Sequence, residues 1–188
     1  MKDNETGKVL ETYLRVQQFY VLAEQCLNLI QKSMQPVLKD FKLNHSQHLV
    51  LLILWYSDFS GNEIFSTELA YLLGLEKHSI STIIDNLYKR GLVARYRKKE
   101  DRRAVNIKLT EEGIALVKAH HPQTVEKISF ESKLTDNDFE FLFSFLESLR
   151  DITAEKNNQS SSIYSSAFKK LLVDGQEKYV EHCIKEGN

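Results

Sequence analysis

Residues 66–110, STELAYLLGLEKHSISTIIDNLYKRGLVARYRKKEDRRAVNIKLT, constrain this chain more than any other stretch. They read as helix, turn, helix and then two short strands around a basic tip. Ser66 or Thr67 offers an N-cap oxygen for a first short helix. Leu69, Ala70 and Leu73 give that helix a buried stripe, and Gly74 follows where a C-terminal cap favours positive φ. Leu75 is expected to plug the turn. A second helix is predicted from Glu76 to Arg90, with Gly91 ending it. At about 100° per residue, Ile80, Ile83, Ile84 and Leu87 share one sector. His78, Thr82, Asp85 and Lys89 lie opposite, flanked by Ser79, Ser81 and Asn86. Such a face, rich in short donors and acceptors, suits base edges in a major groove, although an ordinary solvated face has the same composition.

The following residues favour the nucleic-acid reading. Val93–Lys98 and Ala104–Leu109 are short enough to be strands, and Val105, Ile107 and Leu109 alternate with Asn106 and Lys108. Their connection, Lys99-Glu100-Asp101-Arg102-Arg103, is a basic wing tip. Residues 77–103 hold nine Lys or Arg and three acids, a net charge of +6, in a chain of net charge −1. The remainder is therefore −7. A basic island on an acidic protein suits a phosphate backbone, and an arginine at a hairpin tip can enter a narrow minor groove.

These residues resemble the MarR family of bacterial transcription regulators. The resemblance rests on Glu68-Leu69-Ala70, Gly74-Leu75, Lys77, Ser79, Leu87 and Arg90-Gly91-Leu92-Val93, and above all on Asp101-Arg102-Arg103-Ala104 followed by Leu109-Thr110-Glu111-Glu112-Gly113. It covers about residues 8–156. It implies a homodimeric winged-helix repressor on double-stranded DNA, with the recognition helix in the major groove and a wing arginine in the minor groove. It also implies a ligand or redox input that changes the spacing of the two DNA-binding lobes. His78, Ser79, Ser81, Thr82 and Asn86 are then expected at base edges or phosphates. Lys77, Arg97, Lys98 and Lys99 are expected to position the backbone, and Arg102 or Arg103 to enter the minor groove. Asp101 is expected to orient a neighbouring arginine. Two-fold symmetry predicts a pseudo-palindromic site with half-sites about 34–36 Å apart.

The fold class expected is mainly α: a winged helix-turn-helix with long N- and C-terminal dimerisation helices and a small β wing. Residues 1–43 form the N-terminal dimerisation region, 44–115 the DNA-binding lobe, and 116–188 the C-terminal dimerisation helices with an extra tail from about 160. Residues 1–7 are expected to fray, and a helix from about Val9 to Lys32 carries an apolar surface wider than one stripe. Pro36 should break it or open a new turn. Asn44 and Gln47 suggest a capping box for a helix to about Ser57, apolar all round from Leu49 to Trp55 and so buried. Ile64-Phe65 is a candidate third strand beside the wing. Thr110 should cap a helix that Pro122 kinks or interrupts, and Thr135 with Asp138 is a second capping box. Between residues 139 and 145 there are four phenylalanines, more than one small lobe should bury. That excess points to a dimer with the first helix, against an intramolecular helix pair. Residues 155–162 read as a polar linker. The helical pattern beyond it either widens the dimer interface or covers a partner-facing groove.

The exclusions are brief. No long uncharged apolar run suggests a membrane span, and no apolar signal region opens the chain, so a cytoplasmic protein is expected. Cys26 and Cys183 are too few for a disulfide framework. Gly-rich phosphate loops, HExxH and GxSxG are absent, so no enzyme and no cofactor are expected. Cys26 with His45, His48, His120 and His121 offers zinc-ligand chemistry, but the spacing of zinc-responsive members is not reproduced and no metal is expected. Cys26 lacks an adjacent cation, and peroxide-sensing members carry their cysteine nearer Tyr20, so a packed thiol is expected over a redox sensor. The resemblance implies instead a small effector, often aromatic or phenolic, between the dimerisation helices and the lobe. By position Tyr20, His45, His48 and Trp55 are its candidate contacts. A redox- or zinc-responsive regulator, or a winged-helix module that binds protein rather than DNA, is the alternative.

Overall fold

The computed structural model describes residues 2–97, 105–128 and 133–186, without the side chains at 2–7, 9, 97 and 186. These residues form α1 (Lys2–Asp40), α2 (His45–Ser60), α3 (Ser66–Leu73), α4 (Lys77–Lys89), β1 (Val93–Arg97), β2 (Val105–Leu109), α5 (Glu111–Ile128), α6 (Asp136–Lys156), α7 (Ser161–Phe168), a π-helical turn (Lys169–Val173) and α8 (Asp174–Glu186). The chain is mainly helical with a small antiparallel wing, as expected. No helix among the described residues is long and apolar enough to cross a membrane.

α2 is the axis of the lobe. The Asn44 side chain accepts from the Gln47 N–H at 2.8 Å and Gln47 Oε1 accepts from the Asn44 N–H at 3.1 Å, closing the capping box. Gly61, at φ 69°, ends the helix three residues later than expected. Val50 and Leu51 are fully buried, and α1, α4, α5, β2, the π-helical turn and α8 all pack on this helix.

The wing is a two-stranded sheet in which Val93 pairs with Leu109 and Arg97 with Val105. Ile64-Phe65, the candidate third strand, pairs with the wing only briefly. It makes a single bridge, Phe65 to Asn106, with the Ile107 N–H donating to the Ile64 carbonyl at 3.0 Å. That bridge covers Asn106, which is buried rather than solvent-facing.

The motif Leu-Thr-x-x-Gly has a geometric cause. Thr110 Oγ1 accepts from the Gly113 N–H at 3.1 Å, capping α5, and donates to the Gly91 carbonyl at 2.6 Å. A Cβ on Gly113 would lie 2.1 Å from the Leu92 carbonyl oxygen, so only glycine lets α5 begin against the strand.

Three other helices, α1, α5 and α3, differ from expectation. α1 starts at Lys2 and runs through Pro36 to Asp40. Proline forfeits one helical hydrogen bond, but Met34, Val37 and Leu38 are buried in the lobe while Pro36 faces solvent, and this packing carries the helix across. Pro122 likewise lies inside α5, with Val117, His120 and Thr124 buried on either side. The N-cap of α3 is Phe65, not Ser66 or Thr67, and the Glu68 carboxylate accepts from the Phe65 N–H at 3.0 Å instead.

The tail folds back on its own lobe. α7, the π-helical turn and α8 pack against α3 and α2, and the expected linker shrinks to residues 157–160. Leu171 is fully buried. Ser57 Oγ donates to the Leu171 carbonyl and Asn62 Nδ2 to the Lys170 carbonyl, each at 2.8 Å, and Lys170 Nζ meets Glu68 Oε1 at 2.6 Å. Where α8 crosses α2, a Cβ on Gly175 would lie 2.2 Å from the Tyr56 carbonyl oxygen. The Tyr179 ring stands edge-on to Trp55, Tyr56 and Phe59.

Candidate nucleic-acid interface

α4 is positioned by its inner face. Ile80, Ile84 and Leu87 are buried and Ile83 is partly buried, so the predicted sector is the one that packs. The turn before it is set by Gly74 at φ 61°, with the Leu75 N–H donating to the Ala70 carbonyl at 2.9 Å. Leu75 itself is 37% exposed and does not plug the turn; the backbone bond closes it.

Opposite the core, Lys77, His78, Ser81, Thr82 and Asn86 are exposed and Ser79 is half-buried. Ser81 Oγ donates to the Lys77 carbonyl and Thr82 Oγ1 to the His78 carbonyl, both at 3.0 Å. These hydroxyls therefore present acceptor lone pairs outward and give their protons to the helix. Ser79 Oγ lies 3.4 Å from His78 Nε2. Arg97 occupies the last position of β1, while Lys98, Lys99, Arg102 and Arg103 lie outside the described residues, as does Asp101.

Two basic residues turn inward to the scaffold, which periodicity did not reveal. Arg95 pairs with Asp85 and lies over the Tyr88 ring, bracing β1 against α4 and neutralising the one acid on the outward face. Arg90 donates to the carbonyls of Lys42 at 2.7 Å and Phe41 at 3.1 Å. It thus ties the C-terminal end of α4 to the C-terminal end of α1, where a cation suits the helix dipole. The angle of α4 is held against the long first helix by this contact. A sequence signal existed only in the Arg-Gly pair at the end of the helix.

The family model for the transcriptional regulators SarA/Rot matches residues 32–119. The organic hydroperoxide resistance transcriptional regulator of Bacillus subtilis is 29% identical over 126 residues, 67% of this chain and 82% of that protein. Other B. subtilis regulators, at 31–38% identity, are matched over 53–61% of their own length. Among solved structures, Sco3205, a MarR family transcriptional regulator from Streptomyces coelicolor in complex with DNA, superposes with a TM-score of 0.61 at 18% identity, covering 72% of this chain and 85% of that one. NadR in complex with 4-hydroxyphenylacetate does so with a TM-score of 0.60 at 23% identity, covering 69% and 89%. The chain has a winged-helix fold and is similar to transcription regulators of the SarA/Rot and MarR type. Its relatives and its fold are those of transcription regulators rather than enzymes.

Of the four expected effector contacts only His45 and His48 are neighbours, with ring centres 6.5 Å apart. Tyr20 is 66% exposed on α1. His45 lines an open cleft of about 810 Å³ with Asn28, Gln35 and Lys39 of α1. Trp55 lines a different cavity against α5 and α8. His48 is buried, its Nδ1 2.9 Å from His120 Nε2, while His120 Nδ1 lies 2.7 Å from the Leu116 carbonyl. A carbonyl only accepts, so His120 carries its proton on Nδ1 and His48 donates to its Nε2. That bond occupies the His120 lone pair a metal would need. Among the described residues no three His, Cys, Asp or Glu side chains are placed to hold a metal ion. Cys26 is exposed on α1 rather than packed.

This buried imidazole pair makes stability depend on pH. Burial first, then His120, His45 and His121, push His48 down to about 3, and burial lowers the other three. The folded values lie below the unfolded one, so the unfolded chain binds protons first. The contribution is complete above about pH 6.5 and is lost as pH falls towards the folded values. From His48 alone about 2 kcal/mol should disappear between pH 7 and pH 5. Urea unfolding at the two pH values measures it, and His48→Gln should show a smaller fall. An equal fall in that variant would assign the loss to other groups.

Proposed function

We propose that the protein is a homodimeric transcriptional repressor that binds a pseudo-palindromic operator and is released by a small effector. The observation that carries the reading is the outward face of α4, with Lys77, His78, Ser79, Ser81, Thr82 and Asn86 on a helix anchored by three buried apolar residues. Its dimensions and its short polar groups suit a major groove. Lys77 and Arg97 flank it as phosphate contacts, and Lys98, Lys99, Arg102 and Arg103 continue the basic run. The DNA complex of Sco3205 supports the partner, and the NadR complex supports an effector. Such a regulator works in the cytoplasm.

The test is fluorescence-anisotropy binding to DNA upstream of the gene, titrated over salt. Affinity should fall with a log–log slope of about 0.9 per phosphate contacted. Lys77→Ala should lower that slope by about one contact without changing sequence preference. Arg102→Ala combined with Arg103→Ala should cost about 1–3 kcal/mol for the inserted side chain. Full-strength binding by that double variant would refute the wing assignment. Affinity indifferent to both salt and sequence would favour a protein-binding winged helix instead.

A further inference from the structure

α6 carries the exposed phenylalanines Phe141 and Phe143, and what fastens it to its own chain is α7. Of the described elements, only α7 packs along it. Its contact with α1 is the edge-on ring pair Phe19–Phe145. Ala154, near the C-terminal end, is the buried residue of α6 among those described. The connection to α7 is residues 157–160. It is closed by the Gln159 N–H donating to the Ala154 carbonyl at 2.9 Å, with Asn158 at φ 56°. Asparagine tolerates that left-handed conformation, so the connection holds one geometry.

α7 is gripped on both sides. Towards α6, Arg150 Nη2 donates to Ser165 Oγ at 2.8 Å. The guanidinium is aimed by its own helix: Nε donates to Asp151 Oδ1 at 2.9 Å, and Glu147 Oε1 lies 3.9 Å from Nη1. Towards the helix-turn-helix, the Tyr164 ring stands edge-on to Tyr71 of α3, with ring centres 5.6 Å apart. Its hydroxyl donates to Gln159 Oε1 at 2.5 Å. In the π-helical turn that follows, Lys170 Nζ meets Glu68 Oε1, and the other oxygen of that carboxylate caps α3 at Phe65. Phe65 in turn bridges the wing at Asn106. A run of direct contacts therefore leads from α6 through α7 to α3 and the wing. Partly exposed contacts of this kind are individually weak, but two of them on opposite sides of one helix fix an angle.

We propose that α7 is a strut that fixes the angle between α6 and the DNA-reading unit, with Arg150 and Tyr164 as its positioning residues. Neither lies on α4 or the wing. The consequence at DNA rests on the homodimer and the two half-sites of the preceding reading. In such a dimer α6 belongs to the shared frame, and the fixed angle sets the separation of the two α4 helices. One base pair added between the half-sites moves them apart by about 3.4 Å and turns one by about 35°. A rigid dimer cannot follow that change and loses the gain from holding both half-sites, whereas a dimer without the strut follows it.

The strut is tested first in the full chain without DNA. The exposed Cys26 and Cys183 are replaced by serine, and spin labels are attached through Lys89→Cys on α4 and Glu140→Cys on α6, both exposed positions. Diluting labelled chain into excess unlabelled chain reads the distance within one protomer. A narrow distribution is expected, and it should broaden when Arg150→Ala is combined with Tyr164→Ala. Circular dichroism checks folding. Arg150→Gln alone should broaden the distribution less, and Arg150→Lys, which keeps a donor, should leave it narrow. On an operator obtained by random-sequence selection, the unsubstituted chain should lose about a hundredfold or more in affinity when one base pair is inserted between the half-sites, and the double variant less than about tenfold. Affinity for DNA with a single half-site should be the same for both. An unchanged distance distribution in the folded double variant would overturn the proposal, as would full spacing discrimination retained by it. So would a loss of single-half-site affinity as large as the loss of discrimination, which would mark damage to the reading unit itself. Because the distance measurement needs neither dimer nor DNA, failure to select any operator counts against the repressor reading and not against the strut.

Discussion

Gly175→Val is expected to undock the tail and destabilise the protein by about 3–5 kcal/mol. A Cβ at this position would lie 2.2 Å from the Tyr56 carbonyl oxygen and 2.5 Å from its carbon, and both are backbone atoms of the central helix. Neither can swing aside as a flexible side chain would, so α8 must lift from α2. Overpacking alone costs about 1–3 kcal/mol, and separation adds the loss of buried Leu171 and of the contacts of Tyr179. The urea midpoint reports the stability. Trp55 emission should move to the red as Tyr179 withdraws, and residues 161–186 should become sensitive to limited proteolysis. Gly175→Ala should show a smaller effect of the same kind, since the helix needs to move less. An unchanged midpoint with unchanged emission in the valine variant would mean that the tail does not cross α2 at this point.

The second large effect concerns assembly. Phe141→Glu combined with Phe143→Glu is expected to convert the proposed homodimer into monomers. In the single chain Phe141 is 70% exposed and Phe143 56%, and Leu22 and Val21 on α1 are as exposed. The contact Phe19–Phe145, with ring centres 5.5 Å apart, links the two helices without covering this surface. Burying a phenylalanine contributes about 1.5–3 kcal/mol, so four of them across a two-fold axis contribute up to about 6–12 kcal/mol. Four buried carboxylates would reverse that gain. Sedimentation should show the monomer mass, and operator affinity should fall about a hundredfold or more as one half-site is lost. The urea midpoint attributable to the lobe should stay, because within the chain these rings stack only on Phe139 and Phe145 of their own helix. A dimer mass retained by the double variant would place the interface elsewhere.

Much of the DNA-reading unit was legible in advance because its determinants are local. The apolar sector of α4 is set by residues three and four apart, and Ile80, Ile84 and Leu87 are buried accordingly. Gly74 and Gly91 take positive φ where the turns require it. Both Asn44 with Gln47 and Thr135 with Asp138 close as capping boxes. The misreadings have one pattern. Ser66 and Thr67 are good caps by type, yet the Ile64–Phe65 segment is held against β2, and the cap moves to Phe65 with Glu68. Pro36 and Pro122 break helices by propensity, yet buried neighbours on each side outweigh one missing hydrogen bond. Lys42 and Phe41 carried no signal that Arg90 would hold their carbonyls.

By itself the sequence determined the elements: which segments are helical, the capping boxes that open α2 and α6, which face of α4 is apolar, and that a basic island accompanies it. Those choices are made by interactions within a turn or two of chain, which spacing and residue type encode directly. Only the tertiary structure decided what meets across long separations. The tail closes on the lobe through Ser57 with Leu171 and Lys170 with Glu68, the His48 ring meets His120, and Trp55, Lys118 and Tyr179 come to line one cavity. An amphipathic pattern states that a face must be covered and not by what, because the covering partner is chosen by the packing of the whole chain.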